Sequence, residues 1–472
     1  MPTGANPMIN QARTDDAAPA TRRWFQRFLE PFEQFAQTGS LASVLLIAAM
    51  IVAMVWANSP WAASYSTLWN FKFVIGPASA PIALTLQHWI NDGLMAAFFL
   101  LVGLEIKREL LVGELATLRQ ASLPIIAALG GMFVPALLYV SVSAGTDAVR
   151  GWGIPMATDI AFALGVLQLL GPRCPIGLKV FLTALAIIDD MGAILVIALF
   201  YTDSFAVPSL VLAAVALAAL VSLNKLRVRP LAPYLALGVV LWVAILSSGI
   251  HATIAGVLLA LTIPVRTRIN AAEFSTVARE LIDDFDNTET GDLRVLTSRG
   301  QQDAIHGLES ASTAVQAPLL RLEHALAPVV AWVILPLFAV ANAGVSLGAS
   351  QAPWASSVGL GVLLGLLLGK PLGITLFSWL AVKRGWSTLP HAVTWQMLHG
   401  AAWLGGIGFT VALFIASLAF EGTPWLDDAK LSVLVSSVAA GFIGRHLVVR
   451  ALRPRDSREG PSSLPPLEAP IS

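Results

Sequence analysis

Three aspartates lie inside stretches that otherwise read as membrane-spanning helix. Asp159 sits in ATDIAFALG (Ala157 to Gly165), and Asp189 and Asp190 are neighbours in LTALAIIDDMGAI (Leu182 to Ile194). An ionisable side chain at the bilayer centre costs about 2.5–3.5 kcal/mol on insertion scales. Three of them facing lipid would cost roughly 8–10 kcal/mol. The carboxylates must therefore face a protein interior or a water-filled cavity. A buried, hydrated carboxylate cluster can bind a small cation or carry protons. Oxygen-only ligands suit a hard cation rather than zinc or copper.

The rest of the chain agrees with a membrane setting. Of its 472 residues 56% are hydrophobic and only 12% charged, against about 25% charged in a soluble domain. Net charge is zero, so no basic surface points to nucleic acid, and the single Cys174 excludes an internal disulfide framework. No signal peptide is visible. Apolar segments of spanning length recur near 41–58, 86–111, 121–143, 152–170, 177–200, 207–223, 231–247, 250–265, 323–343, 358–381, 394–419 and 430–450. The expected fold is an all-α polytopic membrane protein of about twelve transmembrane helices, some short or interrupted.

Charge asymmetry supports that count. One set of loops holds the N-terminal arginines, Lys107, Arg108, Arg119, Arg173, Lys179, Lys225, Arg227, Arg229, Arg266, Arg268, Lys383, Arg384, Arg445, Arg450, Arg453 and Arg455. The alternate loops hold only Lys72, Arg150 and Lys430. The basic set is cytoplasmic by the positive-inside rule, which puts both termini in the cytoplasm. The chain then divides into a cytoplasmic N-terminal segment (1–38), eight helices (39–265), a long cytoplasmic loop (266–321), four helices (322–451) and a disordered polar tail (452–472). Trp24, Phe25, Phe28, Leu29, Phe32 and Phe35 suggest an interfacial helix in the first segment. An external loop over about 59–80, with Phe71, Phe73, Val74 and Ile75 in partial alternation, reads as a β-hairpin. In the long loop, Phe274 to Phe285 fits a short amphipathic helix, although a flexible linker is the simpler reading.

Asp189 and Asp190 diverge by about 100° around a helix, so they need not touch the same ligand. One can bind a cation while the other pairs with a basic group. A pair snorkelling from a helix end is the alternative, but the flanks are apolar on both sides. Asp159 follows Pro155 and Thr158, where the helix can break, and a carboxylate compensates the positive end of a half-helix. GGIGFT (Gly405 to Thr410) is a second suspected interruption, marked by Gly405, Gly406 and Gly408. Glycine runs also serve close helix packing. Two interruptions, one in each half, point to a transport site at a repeat interface. Lys370 in LLLGKPLGI (Leu366 to Ile374) is a fourth intramembrane charge, able to neutralise an aspartate or half-helix C-terminal ends. Asp92 lies nearer the external end of its segment. Glu105, Arg108 and Glu109 share one helix face at the other end, either as a surface ion-pair cluster or as a pH-responsive mouth completed by Glu323 and His324. His251 reads first as a packing histidine.

At these motifs the chain resembles the NhaA family of bacterial sodium/proton antiporters. The likeness runs from about Ser40 to Arg450, apart from the long loop. It is carried by GWGIPMATDIAFALGVL (Gly151 to Leu167), FLTALAIIDDMGAI (Phe181 to Ile194), LPLFAVANAGVSL (Leu335 to Leu347) and GGIGFT. The resemblance implies inverted-topology repeats with two interrupted, crossing helices at Asp159 and at Gly405 to Gly408. It implies Asp190 as the main sodium and proton site with Asp189 beside it, Lys370 paired with Asp189, and Asp159 and Thr158 lining and compensating the site. Glu105, Arg108, Glu109, Glu323 and His251 match positions tied to pH response. The implied activity is electrogenic exchange of cytoplasmic sodium or lithium for more than one external proton, in the inner membrane. The resemblance also implies a transporter rather than an enzyme, no cofactor, and a homodimer through the external hairpin. Two departures stand out: the loop from Arg266 to Arg321 is longer than in the best-known members, and Ala327 precedes Pro328 where a histidine is frequent.

Two rival readings remain at this stage. A sodium-coupled solute symporter would need substrate contacts beyond the carboxylates, for which Lys370 is the strong candidate. An intramembrane aspartyl protease would need two aspartates sharing a proton, with Asp159 and Asp189 as the conceivable pair, but the sequence has no GxGD motif.

Overall fold

The computed structural model describes residues 41–75, 82–113, 115–202, 206–287, 298–348 and 354–453. The expected interfacial helix before residue 38 and the tail after 453 lie outside them. The described chain is mainly helical. In chain order the first elements are α1 (Leu41–Ala57), α2 (Ala62–Trp69), β1 (Lys72–Ile75), β2 (Ile82–Thr85), α3 (Leu86–Val112) and α4 (Leu118–Ser143). After a 3₁₀ segment at Asp147–Met156 come α5 (Ile160–Gln168), α6 (Ile176–Phe200), α7 (Val207–Lys225), α8 (Leu231–Leu246) and α9 (Ile254–Thr262). The last elements are α10 (Ala271–Asn287), α11 (Arg299–Val315), α12 (Pro318–Asn342), α13 (Ser357–Lys383), α14 (Trp395–Leu404), α15 (Phe409–Phe420) and α16 (Trp425–Ala451).

Among the described residues seven helices are long and apolar enough to cross a membrane: α3, α4, α6, α7, α12, α13 and α16. Two bent pairs raise the number to nine, α1 with α2 at 114° and α14 with α15 at 44°. A helix keeps its backbone hydrogen bonds within the segment, which is what a lipid surrounding demands. Many large apolar side chains consequently point outward without harm, such as Leu195, Val215 and Phe442.

Prolines shape the long helices. Widened π turns occur at Val330–Ile334, just before Pro336, and at Gly365–Gly369, just before Pro371. A proline has no N–H, and its ring collides with the carbonyl four residues back. Those carbonyls belong to Trp332 and Leu367, inside the widened turns, which relieve the collision without ending the helix. The second widening ends at Lys370.

Helix α13 is held by an unusually close crossing with α4. A Cβ placed on Gly373 would lie 2.1 Å from the Gly130 carbonyl oxygen, and one on Gly130 would lie 2.4 Å from that of Gly373. Small residues let membrane helices approach backbone to backbone. This crossing seats Lys370 with no exposed surface in the protein interior.

Outside the helix bundle the structure refines two expectations. The antiparallel hairpin pairs Lys72 with Thr85 and Ile75 with Ile82, so its second strand lies beyond residue 80 and a helix, α2, precedes it. The long loop is not simply a flexible linker: it carries α10 and α11 packed together, with Gly307 set against Leu281. Its two ends are stapled by Arg268 N–H donating to the Ala314 carbonyl at 2.8 Å and Leu319 N–H donating to that of Pro264 at 3.2 Å. The low hydrophobicity of both helices hides them in a hydropathy reading, since their apolar faces cover each other rather than a core.

The crossing of α4 and α13 yields a direct test. Gly373→Val should lower the melting temperature in detergent by an amount matching at least the ~1–3 kcal/mol typical of overpacking. A variant that melts with the native protein would show that the two backbones are not in contact.

Candidate functional site

The site grows from two breaks in helical structure. The 3₁₀ segment, with Pro155 in its last turn, ends at Met156, the chain runs extended through Ala157 and Asp159, and α5 begins at Ile160. The second break runs from Gly405 to Gly408, between α14 and α15. The two breaks touch. Asp159 N–H donates to the Ile407 carbonyl at 2.6 Å, a backbone bond that joins one interruption to the other.

Broken helices leave orphan groups at their ends, and here side chains satisfy them across the junction. Asp159 Oδ1 accepts from Phe162 N–H at 3.0 Å, capping α5. Its Oδ2 accepts from Thr410 N–H at 3.0 Å and from the Thr410 hydroxyl at 2.6 Å, capping α15. One carboxylate therefore faces two positive helix ends, which is the arrangement that favours a negative charge. On the opposite pole, Thr158 Oγ1 lies 2.8 Å from the Gly405 carbonyl oxygen at the end of α14.

Thr158 also connects the breaks to the other charges. Its Oγ1 lies 2.7 Å from Asp189 Oδ2 and accepts from Lys370 Nζ at 2.7 Å. A hydroxyl has one proton, so Thr158 donates either to Asp189 or to Gly405 at a given moment. Lys370 Nζ and Asp189 Oδ2 form a fully buried ion pair in direct contact. Thr158, Asp189 and Lys370 are thus in one hydrogen-bonded unit, joined to Asp159 through the backbone, and all four residues are at most 2% exposed.

Asp190 differs from its neighbour. It is 1% exposed, and its Oδ1 has no hydrogen-bond partner among the protein atoms. Asp189 Oδ1 is likewise unpartnered. Among the described residues no three His, Cys, Asp or Glu side chains close into a metal cage. The arrangement offers instead a single buried carboxylate without an ion-pair partner beside a neutralised pair.

Glu105, Arg108, Glu109 and Glu323 come together at one end of α3. Arg108 Nη2 lies 3.2 Å from Glu109 Oε1, and Arg108 Nε lies 3.4 Å from Glu323 Oε1 on α12. Glu105 is within Coulombic reach of all three and of Asp190. His324 acts on Glu323. His251 stands apart from this group, between α8 and α9, where it acts on Glu421. Asp92 is in the π turn of α3 near its other end, within reach of His88 and Glu421.

Several participants were not singled out in the sequence. Thr410 lies within the GGIGFT motif, and a hydroxyl directly after a glycine break is a readable signal for a capping partner. Ser437 on α16 accepts from Phe409 N–H at 3.2 Å, with no local signal at all. The rival readings lose their key residues to this geometry. Lys370 is taken by Asp189 and Thr158, which leaves no free cation for a solute carboxylate there. Asp159 spends both oxygens on helix ends rather than facing Asp189 across a shared proton.

A profile of the family described as Na+/H+ antiporter 1 matches residues 33–448. The chain belongs to this family. It is 50% identical over 442 residues to the Na+/H+ antiporter NhaA of Oleidesulfovibrio alaskensis, covering 93% of this chain and 98% of that one. It is 49% identical over 438 residues to the NhaA of Rhodospirillum rubrum, covering 91% and 100%. With the NhaA of Koribacter versatilis it shares 48% over 417 residues, covering 88% and 90%. As a family member with several apolar spans, it is a multi-pass membrane protein.

The buried pair yields the second test. Lys370→Ala leaves Asp189 without its cation, a change that typically costs about 3–5 kcal/mol. The variant should melt well below the native protein, and the double variant Lys370→Ala with Asp189→Asn should recover most of the loss. Melting of Lys370→Ala at the native temperature would mean the ion pair is absent.

Proposed function

We propose that this protein is an electrogenic sodium (or lithium)/proton antiporter of the bacterial inner membrane, working by alternating access, with Asp190 as the principal carrier. The observation that carries this reading is the contrast between two adjacent buried carboxylates. Each has an unpartnered oxygen, but Asp189 is neutralised by Lys370, whereas Asp190 forms no ion pair among the described residues. Such a carboxylate binds a proton or a sodium ion and cannot hold both at full strength.

The same reading extends to the architecture. The seven long helices, with α1, the 3₁₀ segment and α5, α8, α9, and the broken pair α14 and α15, make twelve spans. Two interrupted spans, one from each part of the chain, then cross at the site in an inverted-repeat arrangement. An even number of spans keeps both termini on the side that carries the basic loops, the cytoplasm. Glu105, Arg108, Glu109 and Glu323 form the cytoplasmic mouth and respond to pH. The hairpin of β1 and β2 is the homodimer contact, and all four residues of β1 are exposed. Exchange of more than one proton per sodium needs a second titrating unit, and the pair Lys370–Asp189 is the one in contact with the site.

Everted membrane vesicles test the activity: a preset proton gradient should collapse on adding sodium. Asp190→Asn should give inserted protein without sodium-dependent proton movement. Substantial remaining exchange by purified Asp190→Asn in proteoliposomes would exclude Asp190 as the carrier.

Competition at one carboxylate sets the pH dependence. Protons displace sodium, so apparent sodium affinity should fall about tenfold per pH unit per competing proton below the carboxylate's titration range. Saturating sodium should recover activity lost to mild acid. Control by the mouth cluster would instead lower the maximal rate at every sodium level. Sodium affinity and maximal rate across pH separate the two, and an affinity that does not move with pH would overturn competition at Asp190.

A further inference from the structure

Between Asp190 and the outer end of α6 the interior is sealed by apolar side chains. Phe99, Ile194, Ile197, Ile254 and Val257, with the single hydroxyl of Thr253, line one tight space there. Phe99 stacks on Phe414 with ring centroids 5.7 Å apart, and Phe414 meets Phe338 at 6.4 Å. Phe99, Phe338 and Phe414 are at most 1% exposed. Phe99 on α3 thus stands between this space, shared with α6 and α9, and Phe414 on α15.

Above this seal the outer ends of the same two helices meet in an ion pair. His88 Nε2 lies 2.9 Å from Glu421 Oε1. His88 is in the first turn of α3, and Glu421 directly follows α15. The imidazole is oriented from its other side, since Nδ1 lies 2.7 Å from the Thr85 hydroxyl. That hydroxyl can donate to Nδ1 of a neutral ring or accept from it in a charged one. Geometry is therefore the same in both protonation states, with Nε2–H donating to Glu421, and only the charge of the contact changes. Hydrogen bonding to His88 holds the Glu421 carboxyl below the usual glutamate range. The other titratable groups acting on this contact are Asp92 on α3 and His251 between α8 and α9.

Helix α15 spans 12 residues from the break at the site to this contact. As a rigid rod of roughly 18 Å, it couples the two. Its inner end is tied to Asp159 through Thr410, and its outer end to α3 through Glu421.

We propose that His88 and Glu421 form the external latch of the transport path, closed as an ion pair when external protons charge His88 and loosened when external alkali discharges it. The inference rests on the antiport reading, because only a path that opens alternately to the outside needs an outer latch. Sign and size follow from the contact. An ordinary histidine is charged below about pH 6.5, so outer closure is favoured in external acid and weakens as external pH rises. Both side chains are partly exposed, 40% and 65%, which limits the effect to about two- to fivefold in the open population. The latch acts as a brake: abundant external protons hold shut the door through which they would enter.

Accessibility from outside tests the latch without requiring transport. In a Cys174→Ser background, Ile197→Cys places a thiol in the seal, on the outer side of Asp190. Its modification by a membrane-impermeant maleimide is measured in right-side-out vesicles at fixed internal pH. Rates are divided by those of Ser66→Cys, on the exposed face of α2, which removes the pH dependence of the reagent. The ratio should rise about two- to fivefold between external pH of about 5.5 and 8. Glu421→Gln should hold it high and flat, and His88→Lys, permanently charged, should hold it low and flat. A native ratio that ignores external pH overturns the latch, as does a native-like profile in both variants. Sodium-driven proton movement is scored separately. Its absence alongside the expected labelling would refute antiport and leave the latch standing, while antiport with flat labelling would do the reverse.

Discussion

A backbone that leaves helical geometry inside a membrane exposes N–H and C=O groups that no solvent can satisfy, and each costs several kcal/mol if left alone. Here Asp159 meets that constraint twice with one carboxylate, capping α5 through Phe162 and α15 through Thr410. The backbone bond from Asp159 to Ile407 then locks the two breaks against each other. Everything else in the site takes its position from this junction. Thr158, one residue earlier, is placed to reach Gly405 and Asp189, and Lys370 is placed to reach both Thr158 and Asp189. A change at Asp159 would therefore disturb helix ends and charges together, whereas Asp190 stands outside this lattice of bonds.

Much of this was legible in the sequence because burying a charge in a membrane is so costly. Asp159, Asp189, Asp190 and Lys370 announce themselves by their apolar flanks, and Pro155 and the glycines of GGIGFT announce the breaks. Beyond the pairing of Lys370 with Asp189, which the family resemblance implies, the sequence did not show which partner each group takes. Thr410 and Ser437 are ordinary hydroxyls until the fold brings them to an orphan N–H. Helix α11 was hidden for a different reason, and α10 reads as a short amphipathic helix only against the simpler reading of a linker. Their apolar residues are few and cover only each other, so neither hydropathy nor length separates them from a polar linker. The π turns show a third kind of limit: Pro336 and Pro371 predict a disturbance, but the choice between a kink and a widened turn depends on packing around them.

Helix α3 carries features of both ends of the path. Its 27 residues span roughly 40 Å, with His88 at one end and Glu105, Arg108 and Glu109 toward the other. Arg108 reaches Glu323 on α12, and His88 reaches Glu421 beyond α15. The side chains of Gln87 and Asn91 bond to Asn342, which fastens the outer part of α3 to α12 as well. Helices α3 and α12 thus hold together at both ends, while the tie from α3 to α15 at the outer end is a partly exposed ion pair. A contact of that kind is weak enough to be broken and remade in each cycle.

The charges at the centre also decide what kind of ion the site can hold. Asp159 carries one negative charge against two helix N-termini of about half a positive charge each, so that group is balanced. Lys370 balances Asp189. What remains is Asp190, together with the partial negative ends of α14 and of the 3₁₀ segment that stops at Met156. That remainder is at least one negative charge in a buried volume, where uncompensated charge is expensive. A single proton or a single monovalent cation reduces it. Emptying the site of both is the state the protein most strongly resists. That is what an exchanger requires: the site must not cross the membrane unloaded, and a bare, buried Asp190 carboxylate is the species least able to do so.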